Sequence, residues 1–371
     1  MTNSSTAGHR SIARRILLMQ ESGLVLVIVL LAIYLAAFGG NKNKRVLDPA
    51  SGQWTVVEVN KFLDIENLVL VAKDASFIAI MAVGMTAVIV LGGIDLSVGS
   101  IYALAALVGA MALRALQSQW LDVAYDSPSL SSDGGAPAWA AILVGIGVCC
   151  LVGGMCGAVN GALVVGLRVH PFVITLGTMT VLRGAVAVTT QGLSVSGFPG
   201  SFSTGFFKAE VAGVYPVPVI VMCVVAILGH FILTRTVIGR RTFAIGGNET
   251  AAGYAGVPVG RVKVVMYSLM GVLAGLSASV YLGYLGAASP DAGQGYELSV
   301  IAAAVIGGAS LSGGRGSALG AVLGAILVQL IDNAIIILEG DQNYNKIIMG
   351  TAIVVAVVLD QMKTRFTPRG R

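Results

Sequence analysis

Long apolar runs alternate with short polar breaks along the whole chain. A helix crosses the hydrocarbon layer with about 20 apolar residues. Ten runs approach that length: 24–39, 74–92, 98–116, 138–166, 171–190, 216–234, 263–285, 297–311, 316–338 and 345–360. The pattern predicts an all-α, polytopic transmembrane helix bundle of about 10 spans. It divides the chain into an N-terminal tail (1–22), a membrane domain (23–361) and a C-terminal tail (362–371). Several spans abut with almost no loop. The breaks at 40–66, 117–137 and 191–215 fall on one side of the layer. The break at about 235–262 is the longest on the other side. The segment 117–137, rich in Ser, Asp, Gly and Pro, reads as a flexible loop.

Composition strengthens this picture. Hydrophobic residues make up 56% of the 371 residues and charged residues 11%, against about 25% charged in soluble domains. Water cannot be the main solvent of such a surface, so lipid must be. The 49 glycines suit close helix approach in a bilayer. The net charge of +5 comes from basic residues lying between apolar runs, which fits topology signals and anionic lipid and argues against nucleic acid. His9, Arg10, Arg14 and Arg15 ahead of the run at 24–38 have the look of a secretory leader. The many later spans favour an uncleaved first span instead.

With ten spans both termini share a side. That side then carries Arg10, Arg14, Arg15, Arg168, Arg235, Arg240, Arg241, Arg261, Lys263, Arg315, Lys363, Arg365, Arg369 and Arg371, which is 14 of the 23 Lys and Arg. The asymmetry places both termini in the cytoplasm of a cell whose inner membrane holds the chain. Lys42, Lys44, Arg45 and Lys61 run against the rule.

The sharpest local feature is GGIDLSVGS at 92–100. Gly92 and Gly93 permit a backbone break, and Asp95 is a carboxylate between two apolar runs. A charge at mid-bilayer costs at least about 2.5–3.5 kcal/mol, so Asp95 must face protein or water. Two roles are open to it: capping the helix that begins near Ser97 or Val98, or lining a solute path. The segment 307–325 repeats 92–110, with 10 of 19 positions identical without gaps, and sets Ser310 where Asp95 stands. Both copies start at the end of a run directed inward, so the repeat is parallel, a transporter signature. Gly92, Gly93, Asp95, Ser97 and Gly99, with Gly307, Gly308 and Ser310 of the second copy, are candidates for path or hinge. Asn160 and Asn333 join them as polar residues within spans. Thr175, Arg183, Gln329 and Asp332 are further intramembrane polar residues, read more simply as interhelical hydrogen bonds. Gly153, Gly157 and Gly161, and Gly320 and Gly324, are packing positions at four-residue spacing.

The loop at about 235–262 carries a second signal. Gly246 and Gly247 end one element, Asn248 is an N-cap residue, and Glu249 sits in a first turn. A short helix from Glu249 to Ala255 would stop at Gly256, before Pro258. Such a capped element, with Tyr254 on it, suits docking to a soluble protein.

No enzymatic constellation appears. His9, His170 and His230 lie far apart, and no metal-binding spacing is present. Cys149, Cys150, Cys156 and Cys223 read as small core residues. LSGGR at 311–315 resembles an ABC ATPase signature, but the chain lacks the Gly-x-x-x-x-Gly-Lys-[Ser/Thr] phosphate loop.

The motifs together resemble the membrane-spanning permease of bacterial ABC importers for ribose, xylose, galactose and related monosaccharides. AIMAVGMT at 79–86, the segments 92–100 and 236–256, GQGYEL at 293–298, and 301–316 carry the likeness, which runs from about 74 to 360. Loops 40–62 and 117–137 look longer than the family's. The resemblance implies ATP-driven import by alternating access, with no cofactor in this chain. It implies a second permease copy, as homodimer or heterodimer, a cytoplasmic ABC ATPase often fused in tandem, and a periplasmic or lipoprotein sugar-binding protein. Gly246, Gly247, Asn248, Glu249, Tyr254 and Gly256 would form the ATPase-coupling loop. Another small polar cargo (a nucleoside, polyol or furanosyl signal) and an ion-coupled secondary transporter, with Asp95 and Asp332 as proton carriers, are the alternative readings.

Overall fold

The computed structural model describes residues 22–47, 53–125, 135–211, 213–341 and 343–366. Residues 1–21 of the N-terminal tail, half of the C-terminal tail and the middle of the loop 117–137 lie outside the described residues. The helices in chain order are α1 (Ser22–Phe38), α2 (Ile65–Val90), α3 (Val98–Leu121), α4 (Ala138–Leu167), α5 (Pro171–Thr190), α6 (Pro216–Arg235), α7 (Val237–Gly247), α8 (Glu249–Tyr254), α9 (Val259–Leu285), α10 (Tyr296–Ile306), α11 (Ala318–Ile337) and α12 (Asn343–Phe366). Seven of them, α2 to α6, α9 and α11, are long and apolar enough to cross a membrane. The protein is therefore a multi-pass helical bundle.

Each of the ten apolar runs forms a helix, and among the described residues seven of these helices have the length and apolarity of a span. At 11 residues α10 falls short of the length a span needs, while 17 residues of α1 are described, from Ser22. The second run begins earlier than its apolarity shows. Lys73 and Asp74 interrupt the pattern, yet they lie within α2 and neutralise each other at 2.8 Å. The long break at 235–262 holds two helices, α7 and α8, and α9 starts at Val259.

Helices α4 and α9 form the closest interface. A Cβ on Gly153 would run into the carbonyl of Gly271, one on Gly157 into that of Tyr267, and one on Gly275 into that of Cys149. Absent side chains let the two backbones touch, which replaces the missing hydrophobic drive between helices in lipid with dispersion contact. Gly320 and Gly324 do the same between α11 and α10, against Gly307 and Ala303. Around this core α2 is buried along its length from Ala75 onward. Large exposed apolar side chains are spread over α1, α4, α5 and α6, where lipid is their natural solvent. Cys149 is buried, as a small core residue should be, but Cys223 is exposed on α6.

The bundle has two distinct ends. At one, the turn 91–97, the turn 307–317 and helices α7 and α8 gather. At the other, the expected polar loop 40–66 contains an antiparallel hairpin, β1 (Asn41–Leu47) with β2 (Trp54–Asn60), so the fold is not purely helical. Asp64 anchors this hairpin, accepting Lys42 at 2.6 Å and Lys44 at 2.8 Å, while Lys61 reaches Glu339 at 2.7 Å. Lys42 first and Lys44 second pull the Asp64 carboxyl down to about 2 from its ordinary 3.8. A depressed carboxylate stabilises the fold above its unfolded pKa and ceases to do so as pH falls through the folded one. Hydrogen exchange of the 54–60 amides, corrected for intrinsic rates, should stay slow above about pH 4 and rise between 4 and 2. Asp64→Asn should exchange fast throughout and lack that step.

Candidate functional site

The first turn closes α2 by three hydrogen bonds. The N–H groups of Leu91, Gly92 and Gly93 donate to Ala87, Ile89 and Val88 at 3.3, 2.8 and 3.0 Å. Gly92 takes φ of +81°, the left-handed region that L side chains avoid. The chain then drops Asp95 into the protein. Its side chain is fully buried. Oδ1 accepts the backbone N–H of Ser97 at 2.9 Å and its hydroxyl at 2.6 Å. Asn160 of α4 donates through Nδ2 to Oδ2 at 3.4 Å and to the Ser97 Oγ at 2.7 Å. On the other flank Thr175 of α5 donates to the carbonyl of Ile94 at 3.3 Å. Asp95 thus holds the start of α3, and α4 and α5 hold Asp95. Burying a polar group is costly unless it is satisfied in this way. Below the turn, a Cβ on Gly93 would meet the hydroxyl of Tyr267 of α9 at 2.5 Å. That hydroxyl is buried without a partner.

The second turn closes α10 with the same three bonds. The N–H groups of Gly307, Gly308 and Ala309 donate to Ala303, Val305 and Ala304 at 2.9, 2.9 and 3.0 Å, and Gly308 takes φ of +96°. The structural equivalents are therefore Gly92 and Gly308. The helices that follow are capped at Ser97 and Ser317. Five residues separate Gly92 from Ser97, and nine separate Gly308 from Ser317, so the second turn is four residues longer. The ungapped alignment of the two copies is corrected accordingly. Ser310 does not occupy the place of Asp95; its N–H instead donates to Arg315 at 3.0 Å, within the extra loop.

The two turns meet. Gly314, at φ of +73°, donates its N–H to the carbonyl of Val90 at 2.9 Å. Both α2 and α10 therefore end at the same side of the bundle, as a parallel repeat requires. The last turn of α7 lies on the junction. A Cβ on Gly246 would overlap the Val90 carbonyl and reach the Gly314 nitrogen at 2.5 Å. Beyond it, Asn248 caps α8 by accepting the Ala251 N–H at 2.9 Å. Glu249 pairs with Lys263 at 2.7 Å, Gly256 reverses the chain at φ of +80°, and Tyr254 is 90% exposed.

The structure thus brings Gly92, Gly93, Asp95, Ser97 and Asn160 into one cluster, and Gly307, Gly308 and Ser310 into an adjoining one. Two predicted residues lie elsewhere. Gly99 packs against the entry to α10, where a Cβ would run into the Gly293 carbonyl and meet the Glu297 carboxylate at 2.7 Å. Asn333 exchanges hydrogen bonds with Asn67 at 2.7 and 3.2 Å. Asn67 stands 23 residues before Val90, about 35 Å along α2, so Asn333 belongs to the hairpin end. Tyr267 and Thr175 complete the first turn. Thr175 is visible in the sequence as an intramembrane hydroxyl; Tyr267, one aromatic among many, carries no local signal. Among the described residues no cluster of metal-ligating side chains occurs.

Comparison with known proteins adds to the geometry. A family model described as branched-chain amino acid transport system / permease component matches residues 67–357. The chain is 38% identical to the D-allose transport system permease protein of Escherichia coli (strain K12) over 301 residues, 81% of this chain and 85% of that one. It is 37% identical to the ribose import permease protein of Bacillus subtilis (strain 168) over 304 residues, covering 82% and 87%. An autoinducer 2 import system permease protein of Yersinia enterocolitica is 32% identical over 306 residues, covering 81% and 85%. No solved structure matches.

Proposed function

The chain belongs to the family of branched-chain amino acid transport system permease components, and on that premise we propose that it is the membrane-spanning permease of an ATP-driven ABC importer for a monosaccharide such as ribose, xylose or galactose. It is a transport component and not an enzyme; ATP is hydrolysed by a separate cytoplasmic subunit, in tandem form. Two permease copies enclose the path. A periplasmic or lipoprotein binding protein delivers the sugar at the hairpin end, and the turn end faces the cytoplasm with both termini. The basic residues Arg168, Arg235, Arg240, Arg241, Arg261, Lys263 and Arg315 belong to loops or helix ends at the turn end, in keeping with that orientation.

One observation carries the mechanism: the last turn of α7 rests on the shared junction of the two turns. The ATPase grips α8, with Tyr254 and Glu249 as its contacts. When ATP closes the ATPase pair, α7 moves, and it cannot move without displacing Val90 and Gly314. Through Val90 the displacement reaches Gly92, Gly93 and the Asp95 network that seats α3, α4 and α5. Gly92 and Gly308 are the hinges. A chemical change of the nucleotide in the cytoplasm becomes a rearrangement of the spans that flank the path.

The test is uptake of labelled D-ribose, D-allose and D-fructose into vesicles bearing permease, ATPase and binding protein. Import should need ATP. Glu249→Lys breaks the pair with Lys263 and reverses the charge offered to the ATPase; it should lower uptake and stimulated ATP hydrolysis at least five-fold while the permease still inserts. Normal assembly and hydrolysis in that variant would refute the docking role. The likeness to an autoinducer 2 permease supports a second cargo reading, another small polar solute, which competition of the sugar signal by autoinducer 2 would reveal.

A further inference from the structure

Away from the turns, a crevice of about 590 Å³ lies between α5, the first turn of α3, and the segment that leads into α10. Its size falls in the range of small-molecule sites, about 300–1,000 Å³. Its upper rim is formed at the hairpin end by Gly192 and Asp291. Its floor is Ser100, one helical turn beyond Ser97 and so beside the Asp95 network. The lining is unusual for a membrane protein. Arg183 lies 12 residues into α5, about 18 Å along that helix, where an unsatisfied charge is costly. It donates to the carbonyls of Ala292 at 2.8 Å and Pro290 at 3.4 Å. Asp291 and Glu297 share the crevice with it, yet among the described residues no ion pair within 4 Å joins either carboxylate to the guanidinium. The Glu297 carboxylate approaches Gly99, where a Cβ would also run into the Gly293 carbonyl. The Ser100 hydroxyl, on a residue 1% exposed, has no hydrogen-bond partner.

Arg183 and Glu297 within the crevice and Asp291 at its exposed rim are held apart and form no internal salt bridge. They are donors and acceptors of both signs, left open. A simple anion would face two carboxylates, and a simple cation would face Arg183. A polyhydroxylated neutral solute fits both, because each hydroxyl donates to a carboxylate and accepts from a guanidinium, amide or serine. Such groups also reject solutes that lack the matching hydroxyl, since a buried polar group would then go unpaired. We propose that this crevice is a sugar subsite on the translocation path, with Glu297 and Arg183 setting hydroxyl recognition and Ser100 marking its inner limit. The inference rests on the importer reading above and assigns residues to it.

The test uses the full complex in vesicles. Glu297→Gln is isosteric and spares the contact with Gly99. It should lower uptake of the best-carried sugar at least ten-fold and shift the ratio among D-ribose, D-allose and D-fructose at least three-fold. Uptake within two-fold of the parent would overturn the proposal. A proportional loss for all sugars would overturn it too, because it would mark a structural role. A second arm does not require transport. Thr180→Cys, on the α5 wall, should react with a membrane-impermeant methanethiosulfonate added at the hairpin side, and the reaction should slow at least three-fold when sugar-loaded binding protein is present. No reaction would show that no crevice opens there, and reaction without protection would show a crevice that sugar does not enter; either sinks the subsite. A parent complex that imports none of the three sugars would count against the importer reading, with the reactivity of Thr180→Cys still deciding whether the crevice is open.

Discussion

A Gly246→Val permease is expected to lose at least ten-fold in ATP-driven sugar uptake, while Gly247→Ala keeps the parent rate. The two glycines are adjacent at the end of α7, and the sequence treats them alike. Their surroundings do not. A Cβ at 246 overlaps the Val90 carbonyl and crowds the Gly314 nitrogen, which are backbone atoms hydrogen-bonded to each other. Backbone cannot rotate aside as a side chain can, so either the Gly314–Val90 bond opens or α7 lifts off the junction. Overpacking of this kind costs typically about 1–3 kcal/mol, and here the loss falls on the contact that the proposed mechanism uses to transmit movement. A Cβ at 247 meets nothing within 4 Å. Uptake should be compared at equal membrane abundance, with ATPase co-purification measured in parallel. Parent-level uptake by Gly246→Val would remove the junction from the mechanism. Equal loss in Gly247→Ala would move the sensitive point to the loop itself.

The second large effect is expected at the α4–α9 interface. Gly271→Val should lower the melting temperature of the detergent-purified protein by several degrees and reduce its yield from membranes, whereas Gly147→Ala should leave both unchanged. A Cβ at 271 runs into the carbonyl of Gly153 and approaches Gly157 Cα at 3.0 Å; at 147 it meets open space. The collision is again with backbone, so the two helices must separate, and the dispersion contact along Gly153, Gly157 and Gly275 is forfeited with them. An unchanged melting temperature for Gly271→Val would mean that the interface tolerates side chains and is not what holds the bundle.

Much of the bundle is legible in the chain because lipid imposes one rule on every span. The runs at 171–190 and 216–234 are recovered almost to the residue, their starts marked by Pro171 and Pro216 in the first turn. The start of α2 is missed because Lys73 and Asp74 look like a loop when each is weighed alone; as a pair they neutralise each other. The hairpin is missed although Trp54 to Asn60, with Thr55, Val56, Val57 and Val59, has the β-branched content of a strand. Its polarity hides it beside so many apolar runs. The candidate site divides in the same way. Asn248, Glu249 and Gly256 are local signals, and the short capped helix lies where they predict it. Asp95 is recognisable as a buried carboxylate at a helix start, but its bond to Asn160 spans 65 residues and has no local trace. The repeat is legible as a repeat, while its register is not. Small residues match one another at many offsets, and only the hydrogen bonds that close α2 and α10 reveal the four added residues.

The hydrogen bond from Gly314 to Val90 bears on the geometry of opening. The Val90 carbonyl is on a fully buried residue and would be costly to leave unpaired, so the end of α2 is tied to the turn that follows α10. Any relative tilt of the two must then turn about that point, as a lever turns about its fulcrum. Helix α2 is 26 residues long, about 39 Å from the fulcrum to its far end. A swing of roughly 5° about that point displaces the far end by about 3 Å, the width of a water molecule and more than the shift at the tied end. Small strokes at the short arm, beside α7, are thus magnified at the long arm, beside the hairpin.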